Sequence, residues 1–142
     1  MLILLSVAVQ NGMHLFVCDI KGAFLYADLL PDEVVYVYPP RGWQEYFGVG
    51  KVLKLRKALY GLRQAPRRWY SHLTAVLKQC SLERAKVDPC LFVKKLGSDG
   101  LRIIAGSHVD DILFAVNDQR KFLLWFRQVE QKFECSMKRF LG

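Results

Sequence analysis

The sequence predicts an α+β fold in which an antiparallel layer of strands packs on helices, and three observations carry that reading. Apolar residues recur at helical spacing in two stretches, Trp69, Leu73, Val76, Leu77 and Cys80 in one and Phe122, Phe126, Val129 and Phe133 in the other. Short apolar or β-branched runs, bounded by Gly, Pro and Asn, lie before and between them as strands do. With 142 residues and 52% hydrophobic content, the chain can bury about two-thirds of the surface it would expose unfolded, enough for one domain over residues 1–142.

Taken in order, residues 2–10 are apolar and uncapped at their start, and Asn11-Gly12 supplies a stop, so they read as the final turns of a helix with a buried face. Residues 13–18 suit a buried strand, which places Asp19 at its end. Val34-Val35-Tyr36-Val37-Tyr38 has the strongest β propensity, stopped by Pro39-Pro40, and residues 51–55 alternate as its neighbour would. Residues 61–65 form a loop before a helix whose first turn takes Pro66, because the missing N–H costs nothing there. Residues 90–94 and 101–105 flank Gly97-Ser98-Asp99-Gly100 as a hairpin. Asp110 and Asp111 interrupt two apolar strand-like runs, and Asn117 or Asp118 caps the last helix. No repeat, linker or low-complexity tract divides the chain.

Composition excludes disorder, and the longest apolar run, residues 2–9, is far short of the roughly 20 residues that a bilayer needs, so no membrane partner is expected. Cys18, Cys80, Cys90 and Cys135 lack zinc-ligand spacing and read as reduced core residues of an intracellular protein. The chain carries 21 Lys and Arg against 13 Asp and Glu, a net +8 that favours a polyanion. Between Glu45 and Glu83 no carboxylate occurs, yet Lys51, Lys54, Arg56, Lys57, Arg63, Arg67, Arg68 and Lys78 do. Tyr60, Trp69 and Tyr70 are interleaved with these cations, a mixture that grips phosphates with charge and bases with flat rings.

Asp19 and the pair Asp110-Asp111 stand beside greasy strands, and if those strands are neighbours three carboxylates converge. Their mutual repulsion calls for a divalent cation, and Mg2+ prefers oxygen ligands from one or two carboxylates plus substrate phosphates. Two such ions serve in-line phosphoryl displacement.

These residues fall within a set of ordered blocks. They include Asp19-Ile20-Lys21-Gly22-Ala23-Phe24-Leu25, Val35-Tyr36 through Pro39-Pro40-Arg41-Gly42-Trp43, and Lys54-Leu55-Arg56-Lys57-Ala58-Leu59-Tyr60-Gly61-Leu62-Arg63-Gln64-Ala65-Pro66-Arg67-Arg68-Trp69-Tyr70. Further on come Asp88-Pro89-Cys90-Leu91-Phe92, His108-Val109-Asp110-Asp111 and Met137-Lys138-Arg139-Phe140-Leu141-Gly142. In this order they resemble the reverse transcriptase of copia-type LTR retrotransposons over essentially the whole chain.

The resemblance implies a polymerase palm with a ferredoxin-like core, cut short at both ends, so that fingers and thumb are incomplete. It implies RNA-directed DNA synthesis with two Mg2+ ions, or Mn2+, bound by Asp19, Asp110 and the backbone carbonyl of Ile20, with Asp111 completing the catalytic acids. Ala23, Phe24 and Gln64 would meet the incoming nucleotide, Phe24 as a steric gate against a ribose 2′-hydroxyl. Lys54, Arg56, Lys57, Arg63, Arg67, Arg68 and His108 would meet nucleic acid. Implied partners are an RNA or DNA template with its primer, deoxynucleoside triphosphates, and the rest of a Pol polyprotein, with fingers, thumb and ribonuclease H. The implied location is a cytoplasmic particle or the nucleus. His108 departs from the family's usual Tyr-X-Asp-Asp, which alters efficiency more than metal binding. The alternative function is a decayed or domesticated palm that binds nucleic acid without catalysis.

Overall fold

The computed structural model of the chain describes residues 2–140. Leu2–Gln10 is helix α1, ended by Asn11, whose side-chain amide donates to the Val7 carbonyl at 2.7 Å, and by Gly12 at φ 58°. Strand β1, His14–Ile20, alternates its side chains, sending Phe16, Cys18 and Ile20 to one face and Leu15, Val17 and Asp19 to the other. Asp19 is the penultimate residue of β1, at the end of the strand as the sequence predicts. A 3-10 turn, Ala23–Tyr26, follows.

Strands β2, Tyr36–Val37, and β3, Leu53–Lys54, pair antiparallel as a small separate sheet, with the short helix α2, Gln44–Phe47, between them. Both are shorter than the sequence suggests, because Pro39-Pro40 offers no N–H to extend the ladder. Helix α3, Ala65–Gln79, takes Pro66 in its first turn and buries Trp69, Leu73, Val76 and Leu77. Four strands come next: β4, Glu83–Arg84; β5, Leu91–Lys94; β6, Ile103–His108; and β7, Asp111–Val116. Helix α4, Gln119–Glu130, starts at Asp118, whose carboxylate accepts the Lys121 amide at 3.0 Å, and β8, Cys135–Arg139, closes the described chain.

The main sheet has the order β4-β5-β6-β7-β1-β8, with every neighbouring pair antiparallel. Helices α3 and α4 cover one face, where Phe92, Phe114, Phe122 and Phe126 form the centre of the core. On the other face Leu4 and Ala8 of α1, with Leu5 partly buried beside them, pack down against Leu15, Leu113 and Ala115. Leu4 and Ala8 give the helix the buried face that the sequence predicts, while Leu2, Ile3 and Val9 are 80%, 79% and 72% exposed. A helix that is apolar all round still has only one side against the sheet.

Cys18 and Cys80 are buried, Cys135 is half-buried and Cys90 is exposed, so Cys90 does not belong to the core as predicted. Burial pushes the Cys18 thiol well above its ordinary range, which leaves it chemically inert at neutral pH. No helix among the described residues is long and apolar enough to cross a membrane. Leu141 and Gly142, the end of the last sequence block, lie outside the described residues.

Candidate functional site

The acidic pair sits at a hairpin. Strands β6 and β7 turn on Val109 and Asp110, with His108 and Asp111 as the closing pair. Val109 has φ 51°, a left-handed conformation strained for a β-branched residue and usually given to glycine in such turns. That missing glycine is why the sequence does not announce a turn here, and strain of this kind is worth about 1–3 kcal/mol. Trp69 of α3 holds the turn, its Nε1 donating to the Val109 carbonyl at 2.7 Å. The Ile20 amide donates to the Asp110 carbonyl at 2.9 Å, which fixes the end of β1 to the same turn.

In the β1–β7 register Asp19 stands directly opposite Asp111, both exposed on the face that α1 partly covers. They line one cleft with Val17, Ser136 and Lys138. Asp110 goes elsewhere: the Tyr60 hydroxyl donates to its Oδ2 at 2.9 Å, and its Oδ1 is buried without a partner. Of the three expected carboxylates, Asp19 and Asp111 thus share one cleft, and Asp110 stands in the adjoining turn with Oδ2 engaged by Tyr60. Among the described residues no three His, Cys, Asp or Glu side chains stand together as a metal cage. Partial desolvation, then the hydrogen bond to Asp110 and its negative charge, raise the Tyr60 pKa and keep the phenol a donor, against a smaller pull from the Ala23 backbone.

Ala23 and Phe24 are buried in the 3-10 turn, with the Phe24 ring 4.5 Å from that of Tyr60. Phe24 also lines a pocket of about 210 Å³ shared with Pro66, Trp69, Leu73, His108 and Val109. Gln64 is half-buried at the start of α3 and makes no side-chain cap, while His108 is exposed. Of the predicted nucleic-acid contacts, Lys54, Arg56, Lys57, Arg63 and Arg67 are exposed. Arg68 is not free in the same way. Its Nε lies 2.9 Å from Glu33 with both side chains mostly buried, and Glu33 also accepts the Leu30 amide at 2.9 Å. Arg68 thus ties the segment after the 3-10 turn to α3. Glu33→Gln is expected to lower stability by about 1–2 kcal/mol, read by denaturant melting.

Trp69 is 2% exposed and Tyr70 donates to the Pro89 carbonyl at 2.7 Å. Trp69 is thus no open stacking surface, which corrects its reading as a base platform, whereas Tyr70 is half-buried and Tyr60 is exposed. The sequence did not reveal the bonds of Tyr60 and Trp69 to the acidic hairpin, because both partners are distant in the chain.

The site thus consists of facing acids on a thinly covered sheet and a third acid in a braced turn, and the chain carries exposed cations at Lys54, Arg56, Lys57, Arg63 and Arg67. The family described as "Reverse transcriptase (RNA-dependent DNA polymerase)" matches residues 1–142, and the chain belongs to it. It is 34% identical over 116 residues to the "Retrovirus-related Pol polyprotein from transposon TNT 1-94" of Nicotiana tabacum, covering 82% of this chain and 8% of that protein. It is 39% identical over 116 residues to the corresponding polyprotein from transposon RE1 of Arabidopsis thaliana, again covering 82% and 8%. With the "Transposon Ty1-BL Gag-Pol polyprotein" of Saccharomyces cerevisiae it shares 38% identity over 90 residues, 62% of this chain and 5% of that protein. The chain thus spans less than a tenth of the length of these curated relatives.

Proposed function

We propose that this chain is the catalytic palm of a retrotransposon RNA-directed DNA polymerase, its antiparallel sheet serving as a ferredoxin-like platform for deoxynucleotidyl transfer to a primer 3′-hydroxyl. One observation carries the reading: Asp19 directly opposite Asp111 on neighbouring strands, with Asp110 in the adjoining turn. Like charges directly opposite one another destabilise a sheet. At about 4 Å and an effective dielectric near 20, such a pair repels by about 4 kcal/mol.

The donor set suits Mg2+ or Mn2+, being made of hard carboxylate oxygens, one of which, Oδ1 of Asp110, is buried without a partner. Asp19, Asp110 and the Ile20 carbonyl would hold two ions, with Asp111 adding negative charge beside them. Bound there, they supply the neutralisation that an in-line phosphoryl displacement requires. The primer oxygen bonds to the α-phosphorus, its proton is lost, and pyrophosphate leaves. Around that centre Phe24 presents its ring to the sugar, Ala23 and Gln64 border the nucleotide, and Lys54, Arg56, Lys57, Arg63 and Arg67 hold the phosphates of template and primer. Fingers, thumb and ribonuclease H regions of a Pol polyprotein would complete the grip.

Primer extension by the polymerase that carries this chain tests the reading. Asp110→Asn is expected to reduce it more than about a thousandfold, and unchanged extension would sink the proposal. Phe24→Ala is expected to relax discrimination against ribonucleotides by at least about tenfold, since a ring that excludes a hydroxyl is removed. An unaltered ratio of deoxynucleotide to ribonucleotide incorporation would remove that role from Phe24.

A further inference from the structure

A steric gate discriminates only if its ring cannot retreat. Phe24 has room to do so, because the pocket of about 210 Å³ opens beside it, lined by Trp69, Leu73 and His108. Among the described residues the one aromatic ring paired with Phe24 is that of Tyr60, tilted by 47° at 4.5 Å. Tyr60 is itself 49% exposed and comes from the loop before α3, so packing alone holds it loosely. Its anchor is the hydroxyl, which donates to Asp110 Oδ2 at 2.9 Å. The chain from Phe24 through the Tyr60 ring and hydroxyl to Asp110 thus links a nucleotide-facing ring to an acid of the hairpin.

We propose that Tyr60 is a positioning residue for sugar selection: it backs the Phe24 ring and sets that ring's place relative to Asp110. The proposal rests on the polymerase reading and adds to it a residue that touches neither metal nor sugar. Its two parts are separable by substitution. Tyr60→Phe keeps the backing ring and removes the anchor, while Tyr60→Leu keeps bulk but removes the aromatic pairing. An aromatic pair and a hydrogen bond to a carboxylate each contribute enough to shift a two-position equilibrium of the gate several-fold.

The experiment measures kcat/KM for each deoxynucleotide and its ribonucleotide in the complete polymerase that carries this chain. A chain-terminated primer complex provides a second readout, the equilibrium affinity for the same two nucleotides without turnover. Tyr60→Phe is expected to lower the discrimination ratio about threefold and Tyr60→Leu about tenfold or more, in both assays. A merely structural role would lower yield and overall rate while leaving both ratios where they were, and that result overturns the proposal. If the unsubstituted polymerase extends primers and Phe24→Ala relaxes selectivity but neither Tyr60 variant does, this inference fails alone. If the unsubstituted polymerase does not extend primers at all, the polymerase reading fails and takes this inference with it.

Discussion

Asp19→Asn is expected to raise the melting temperature of the protein and, on the proposed polymerase reading, to abolish DNA synthesis by the polymerase that carries this chain. Asp19 and Asp111 face each other across β1 and β7, and among the described residues neither takes part in an ion pair or side-chain hydrogen bond. Lys138 lines the same cleft but forms no ion pair with either. Asparagine keeps the shape and removes one of the two opposed charges. Cross-strand terms of this kind are worth about 0.2–1 kcal/mol, which for a domain of this size moves the melting temperature by about 1–4 °C.

The activity effect runs the other way and is far larger, more than about a thousandfold, because a neutral amide no longer offers the charge that would hold a divalent cation against the primer. Opposite signs in the two assays are what distinguish a site kept at the expense of stability from an ordinary surface carboxylate. Thermal melting and primer extension on the same preparations decide it. A lower melting temperature would mean that Asp19 is held by partners in the fold. Retained synthesis would mean that its charge is idle in the reaction.

Much of this arrangement is legible in the sequence, for identifiable reasons. Helices α3 and α4 announce themselves because Trp69, Leu73, Val76 and Leu77, and likewise Phe122, Phe126 and Val129, bury one stripe against a sheet. The neighbouring of β1 and β7 is foreshadowed by two greasy runs that each carry an acid. Strand β8 is not foreshadowed, since it is an edge strand in which only Cys135 and Met137 turn inward and Lys138 and Arg139 dominate the pattern. The turn at Val109 is hidden because its geometry comes from tertiary contacts and not from the turn residues themselves. The same applies to Arg68, which reads as one more cation in a basic tract until Glu33 is seen beside it. Pairings between distant segments decide which acids and cations remain available, and one chain read alone carries little trace of them.

Trp69 shows how much the acidic turn depends on such distant contacts. Its indole is buried between Tyr26, His72 and Phe133, with ring centroids at 6.4, 6.2 and 5.4 Å, and its Nε1 satisfies the carbonyl of the strained Val109. Trp69→Phe leaves a partly filled cavity and an unpaired, part-buried carbonyl, so stability should fall by about 2–4 kcal/mol. A positive φ at a β-branched residue persists only where its surroundings impose it. Once the indole N–H is gone, the turn is expected to relax and carry Asp110 with it. Misplacement of a reacting group by about 1 Å can reduce a rate by about a hundredfold, so extension per folded molecule should drop by about 10- to 100-fold.

Leu77→Ala separates this from simple destabilisation. Leu77 is fully buried on the same helix but belongs to neither the pocket nor the hairpin. Its truncation should cost a similar or larger about 2–5 kcal/mol while leaving extension per folded molecule in place at a temperature where both variants are folded. A fall confined to Trp69→Phe would assign the indole to the geometry of the acidic turn. Equal activity per folded molecule in the two variants would mean that the hairpin keeps its shape without that hydrogen bond, and that the strain at Val109 is borne by the β6–β7 ladder itself.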